Sequence, residues 1–342
     1  STSKTATTLN ATFVRPAQFY LSGLTNIPHD KYFYVFLCFV YIMTVLGNGL
    51  LLSVIYLDKT LHTPKYTIVF NLALIDLCGS TALIPKLLDT FLFDRRYIVY
   101  EACLSYMFFV WFFLGLQSWT LVIMAYDRFI AICFPLRYHS IVTKPAIAVM
   151  LLFVWVFSLS VVACMVGFFD RLSFCRSLVI QSFFCDHGPT YRLACNDTNL
   201  NYIMAVVVVT VVVVIPIILI ALTYIYIVKA VRKIASGEER VKAVKTFTSH
   251  LTLVSVFFLP LLGTNIAALT WSLPLNIRIF DSTLTHIIPP LLNPIIYSLK
   301  TEEVLNSIKK LYQRNSPASQ PIRIVLPVLS STWVPVPPPW IC

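Results

Sequence analysis

The sequence predicts an all-α membrane protein, a seven-transmembrane helix bundle followed by a short amphipathic eighth helix. Three observations predict it. Hydrophobic residues make up 58% of the 342 and charged ones 12%, about half the ~25% usual for a soluble domain. Seven stretches approach or exceed the ~20 mostly apolar residues that cross a bilayer. Lys and Arg are shared unevenly between the segments that join those stretches.

The stretches are Phe33–Leu57, Tyr66–Leu92, Ala102–Tyr126, Pro145–Phe169, Leu200–Val228, Thr246–Ile277 and Ser282–Leu299. Only the second holds charged residues, namely Asp76, Lys86 and Asp89. In a soluble protein the valine run Val206–Val214, interrupted by Thr210, would read as a buried strand. Here it lies inside an uncharged membrane-length segment. A lone strand cannot satisfy its backbone in lipid, so the run is expected to be helical.

Odd-numbered crossing puts the two termini on opposite sides. With the N-terminus outside, the outer segments carry Lys4, Arg15, Lys31, Arg95, Arg96, Arg171, Arg176, Arg192 and Arg278. Most of the 26 Lys and Arg then fall inside, with Lys229, Arg232, Lys233, Arg240, Lys242 and Lys245 clustered between the fifth and sixth helices. This predicts a multi-pass plasma-membrane protein with an extracellular N-terminus and a cytoplasmic C-terminus. Residues 1–30 lack a signal-peptide core, so the first helix is expected to act as an uncleaved anchor. The net charge of +11 is explained by attraction to the inner leaflet, and no nucleic-acid partner is expected.

Residues 1–32 are read as an extracellular tail, 33–299 as the seven-transmembrane domain, 300–315 as the amphipathic helix and 316–342 as a Pro-rich disordered tail. In the amphipathic segment, Val304, Leu305, Ile308 and Leu311 are expected to face membrane lipid. Asn10 and Asn196 head glycosylation sequons on the outer side. Cys103, Cys175, Cys185 and Cys195 also fall there, and four cysteines allow three pairings. The phosphate-loop, HExxH, GxSxG and zinc-spacing patterns of common enzymes do not occur, so no enzyme activity or cofactor is expected.

The most specific stretch is Met124-Ala-Tyr-Asp-Arg-Phe-Ile-Ala-Ile-Cys133, followed by Phe134-Pro-Leu-Arg-Tyr138. An Asp-Arg pair ending an uncharged span is costly unless it sits at the interface or acts there. The stretch resembles the MAYDRYVAIC–PLRY signature of vertebrate olfactory receptors, which are rhodopsin-like and G-protein-coupled. Further motifs occur in the family's order: Gly47-Asn48, Leu61-His-Thr-Pro64, Asn71–Asp76, Phe183-Phe-Cys-Asp186, Leu193–Thr198, Ser249-His-Leu251 and Pro289–Tyr297. Phe257-Phe-Leu-Pro260 resembles the fish-like, or class I, branch.

The resemblance implies disulfides Cys103–Cys185 and Cys175–Cys195. It implies a switch built from Asn48, Asp76, Asp127, Arg128, Tyr224, Asn293, Pro294 and Tyr297, with a heterotrimeric G protein of the olfactory stimulatory type as partner. Asp76 within a span must be paired, hydrated or protonated, with Asn48, Asn293 and water as the candidate partners.

The implied ligand is a small-molecule odorant bound within the bundle. Helical spacing from Cys103 puts Met107, Val110, Trp111 and Leu114 on one face of the third helix. Val208, Phe258, Leu261, Asn265, Thr283 and His286 match pocket walls on other helices, and His187 lies near the mouth. The apolar lining suits a small, uncharged or weakly polar molecule.

The sequence departs from the family in several places. Lys65 replaces the usual Met, Phe247 a Cys and Phe258 a Tyr. Gln117 stands where many members have Glu, so no metal site is expected. The competing readings are a non-olfactory rhodopsin-like receptor for a peptide or lipid, and a membrane transporter. The motif set argues against the first, and the lack of an internal repeat against the second.

Overall fold

A computed structural model describes residues 13–23, 31–175, 177–233, 237–270, 274–300 and 302–315. The sequon at Asn10 and the Pro-rich tail 316–342 lie outside the described residues. Helix α1 spans Lys31–Leu57, α2 Pro64–Leu92, α3 Tyr100–Cys133 and α4 Lys144–Phe169. Helix α5 joins Asn199–Val209, a π-helical stretch Thr210–Val214 and Ile215–Lys233. Helix α6 is Gly237–Thr270, α7 Leu275–Lys300 and α8 Glu302–Asn315.

Among the described residues, α1 to α6 each contain a stretch long and apolar enough to cross a membrane. Their outward faces are correspondingly apolar: Phe39, Leu46 and Leu50 on α1 and Leu152, Phe153 and Val156 on α4 are all exposed. The seventh, α7, has 26 residues, a length of about 39 Å at 1.5 Å per residue.

Helix α3 is the most enclosed span and packs against α2, α4, α5 and α6. It carries the buried side chains Met107, Val110, Leu114, Gln117, Thr120 and Asp127 from one end of the bundle to the other.

Charge-free windows misplace some helix ends, because helices extend beyond the hydrocarbon. Helix α3 continues past Tyr126 to Cys133, and α6 starts at Gly237, well before Thr246. The sixth predicted stretch, Thr246–Ile277, does not match one helix, since α6 stops at Thr270 and α7 begins at Leu275. Helix α7 therefore starts before Ser282 and takes in Arg278 and Asp281, which the window rejected. The valine run is helical, but five of its residues adopt the wider π turn.

The face of α8 is also corrected. Val304 is fully buried, and Ile308 and Leu311 pack against the core of the bundle. Helix α8 lies against α1 and α7, so much of its apolar stripe is covered by protein.

At the opposite end, the N-terminal segment contributes a strand, β1, Gln18–Leu21. It pairs antiparallel with β2, Tyr97–Val99, and parallel with β3, Val179–Ile180. Phe19 and Leu21 are fully buried beneath this small sheet. Arg15 pairs with Asp170 at 2.7 Å, and the Arg96 guanidinium donates to the Ser22 carbonyl at 2.8 Å. The segment read as a plain tail is thus partly woven into the cap.

Candidate functional site

Asp76 lies fully buried in mid-bundle on α2. Its carboxylate accepts from Asn293 Nδ2 on α7 and Gln117 Nε2 on α3, both at 2.7 Å. Asn48 takes a different partner: its Nδ2 donates to the Pro290 carbonyl at 2.9 Å and the Thr44 carbonyl at 3.0 Å. The reason is a missing donor. Pro294 has no N–H to offer the carbonyl four residues back, and that carbonyl belongs to Pro290. A Cβ on neighbouring Gly47 would stand 3.0 Å from Pro294 Cγ, so only glycine allows this approach without displacement.

The same logic recurs on α5. Pro216 cannot serve the Val212 carbonyl within the π-bulged stretch, and Ser118 Oγ of α3 donates to it at 2.6 Å. Asn71 joins three helices, donating to Thr120 Oγ1 at 3.1 Å and accepting from Trp155 Nε1 at 3.0 Å.

At the α8 end of the bundle, Asp127 Oδ1 accepts from the Tyr138 hydroxyl at 2.7 Å, while its Oδ2 stands 3.6 Å from Arg128 Nη1. Tyr224 of α5 meets His250 Nδ1 of α6 at 2.9 Å. The Tyr297 hydroxyl faces Met124 Sδ at 3.3 Å. Lys65 and Tyr66 of α2 both reach Glu303 of α8, the lysine at 3.1 Å. The Tyr66 hydrogen bond and the Lys65 charge hold the Glu303 carboxyl below its usual range.

At the end capped by the small sheet the structure contains disulfides Cys103–Cys185 and Cys175–Cys195, with Cα atoms 5.4 Å and 6.0 Å apart. Phe183 packs against Phe33, Tyr34 and Phe91, and Phe184 against Tyr106. Below this plug, Met107, Val110, Leu114, Val208, Phe258, Leu261 and Thr283 are all buried in the bundle. Trp111 donates through Nε1 to Asp186 at 3.3 Å. Asn265 turns its Nδ2 back to the Leu261 carbonyl at 2.7 Å, and His286 Nδ1 lies 2.7 Å from the Ser282 carbonyl.

His187 packs with the rings of Phe169 and Tyr191, and its Nε2 is 3.4 Å from Asn201 Oδ1. Burial pushes its pKa down to about 4 and that of Asp186 up to about 6, the latter opposed by the Trp111 hydrogen bond. Asn196 accepts from the Ser173 N–H and donates to the Arg171 carbonyl, each at 3.0 Å.

A seven-helix bundle with an Asp-Arg pair at one end and a cysteine-tied loop at the other is now in view, and its relatives are consistent with it. The family model described as olfactory receptor matches residues 37–315. The chain belongs to the olfactory receptor family. It is 34% identical to human olfactory receptor 51F2, over 93% of this chain and 94% of that one. It is 38% identical to mouse olfactory receptor 5K16, over 87% and 93%. Squid rhodopsin shares the fold with a TM-score of 0.68 at 18% identity, over 87% of this chain and 89% of that one. The olfactory receptor family is one of odorant-sensing seven-helix membrane receptors rather than enzymes, and this chain is one of them.

For an olfactory receptor, some of these contacts were not read from sequence. The Asp186–Trp111 bond had a signal in the Cys185-Asp186 dipeptide, since the disulfide carries the next residue towards α3. The Ser118 contact had one in Pro216. A cleft of about 680 Å³ opens at the α8 end, lined by Asp58, His62, Lys65, Tyr66, Tyr138, Glu303 and Lys310 among others. None of the ligand-pocket residues expected from sequence lines it. Asp58 in that cleft is held down at about 2 by the Thr60 N–H and the Ser307 and Thr60 hydroxyls.

Proposed function

We propose that this receptor binds a small, uncharged or weakly polar odorant in the outer half of the bundle and activates a heterotrimeric G protein of the stimulatory olfactory type. Membership of the olfactory receptor family over residues 37–315 is the observation that carries this reading. The positive-inside distribution supports an extracellular N-terminus and a cytoplasmic α8. The Phe257-Phe-Leu-Pro260 stretch supports the fish-like branch. Of the two sequons, Asn10 is the preferred glycan acceptor, because both polar atoms of the Asn196 amide are engaged in the loop.

In this reading the ligand contacts α3, α5, α6 and α7 through Met107, Val110, Trp111, Leu114, Val208, Phe258 and Leu261, with Asn265, Thr283 and His286 as polar anchors and His187 near the mouth. Activation frees Arg128 from Asp127 and separates the inner ends of α5 and α6, which requires the Tyr224–His250 bond to break. Annular lipid contacts the exposed apolar faces of α1 and α4.

The test is cyclic AMP accumulation in cells co-expressing the olfactory G protein and exposed to an odorant panel. Arg128→Ala at equal surface expression should retain ligand binding and lose nucleotide exchange. Normal exchange by that variant would refute the mechanism.

A further inference from the structure

His286 carries one nitrogen whose role its hydrogen bonding fixes and another that this leaves open. Nδ1 lies 2.7 Å from the Ser282 carbonyl oxygen. A carbonyl only accepts, so Nδ1 must hold the ring hydrogen. In a neutral imidazole the other nitrogen is then a bare acceptor. That atom, Nε2, is enclosed and has no hydrogen-bond partner among the described residues. A charged ring would fare worse, because Nε2–H would be a buried cationic donor with nothing to receive it.

The surroundings define what could meet this acceptor. The Phe184 ring packs 5.1 Å from the imidazole and also touches Tyr106 of α3. The acceptor therefore lies in the outer half, between α7 and the loop held down by the Cys103–Cys185 disulfide. Side-chain donors of this region are already engaged. The Tyr106 hydroxyl donates to the Leu83 carbonyl at 2.6 Å, Trp111 Nε1 to Asp186, and the Thr283 hydroxyl to the Ile279 carbonyl at 2.9 Å. Thr283, one turn before His286 and fully buried, offers only its remaining lone pair. The protein side is thus rich in acceptors.

We infer that His286 Nε2 is the ligand-orienting acceptor and that the receptor selects small neutral molecules bearing a hydroxyl, as in alcohols or phenols, over their methyl ethers. This rests on the odorant-receptor reading and adds the functional group that the site reads. Apolar contacts alone separate homologues weakly, whereas a buried polar atom left unpaired separates functional groups strongly.

The experiment compares dose–response curves for matched alcohols, phenols and their methyl ethers on the wild-type receptor and on His286→Phe, at equal surface expression. Wild type should prefer the hydroxyl compound by roughly 5- to 150-fold, the factor expected for one uncompensated buried hydrogen bond. In His286→Phe that preference should fall to about twofold or less. Equal potency for alcohol and ether in wild type, or an unchanged preference in the variant, overturns the inference and leaves the receptor reading intact. Silence of the surface-expressed wild type towards every alcohol and phenol, in cells where a control receptor signals, also overturns the inference, and only silence towards a broad odorant panel as well counts against the receptor reading itself.

A second measurement needs no variant. In receptor labelled with ¹⁵N-histidine, the His286 signals should show hydrogen on Nδ1, and the Nε2 shift should move on adding the alcohol but not the ether. Hydrogen on Nε2 in the free receptor would also overturn the assignment.

Discussion

Replacing Asn48 by Ala removes the donor that serves the Pro290 carbonyl, and the loss can be estimated. A side-chain hydrogen bond between helices in a membrane contributes about 0.6 kcal/mol on average and at most about 1.7. The acceptor stranded here is enclosed, which moves the loss towards the 1–3 kcal/mol of an orphaned polar group. We expect roughly 1–2 kcal/mol. At about 2–4 °C per kcal/mol for a large domain, the melting midpoint of purified receptor should fall by about 2–8 °C. The sharper test is a double-mutant cycle. Pro294→Ala restores a backbone N–H four residues after Pro290, so the carbonyl regains a donor. Asn48→Ala should then cost at least about 1 kcal/mol less in the Pro294→Ala background than in wild type. Equal losses in the two backgrounds would refute the idea that Asn48 substitutes for the missing proline donor.

Four further outcomes are expected. Gln117→Glu places a second carboxylate beside Asp76, where Gln117 Nε2 now lies 2.7 Å from Oδ1; such a pair attracts a cation, so thermal stability should become sodium-dependent in the variant and not in wild type. His187 is buried neutral, with its pKa lowered from 6.5 to about 4; its contribution is present above 6.5 and lost as pH falls towards 4, so His187→Gln should flatten the acid limb of stability in that window. Asp186, raised from 3.8 to about 6, has the opposite sign and loses stability as pH rises across nearly the same interval, so Asp186→Asn should steepen the net acid loss. Cys103→Ala or Cys185→Ala should abolish surface expression, and Cys175→Ala should match Cys195→Ala; peptide mapping that linked Cys103 to Cys175 would contradict the pairing seen here.

The spanning helices were legible because charge is excluded from them, and α5 was legible even through its valine run because lipid forbids the strand. Helix ends were less legible, since hydropathy reports the hydrocarbon and not the helix. The strand Gln18–Leu21 was invisible: four residues have no period of their own, and their partners lie at Tyr97–Val99 and Val179–Ile180. Asn48 was one of several candidate partners for Asp76, because two buried polar side chains invite pairing. The stronger demand came from a backbone carbonyl, and counting four residues back from Pro294 would have found it. The face of α8 was misjudged for a related reason. An apolar stripe fits either lipid or protein, and only the bundle above it decides that Val304 is covered.

The distribution of these contacts bears on which half of the proposed receptor moves. Two disulfides, a three-stranded sheet and the Phe183 packing cluster tie the outer end in several independent ways. The inner end is held by a few polar contacts: Tyr138–Asp127 at 2.7 Å, Tyr224–His250 at 2.9 Å, and Lys65 at 3.1 Å together with Tyr66 on Glu303. Each is of a kind that contributes about 1 kcal/mol. A ligand shifts a conformational equilibrium only by its difference in affinity for the two states, and couplings are typically 1–3 kcal/mol. That range is enough to offset one or two inner contacts and too small to dismantle the cap. Between the ends, Asn48 and Ser118 hold the carbonyls of Pro290 and Val212 with side chains from neighbouring helices. A side-chain donor can follow or release its carbonyl with less disruption than a helical N–H, which is fixed in register. The proline sites of α5 and α7 are therefore where an outer binding event has the best mechanical route to the inner locks.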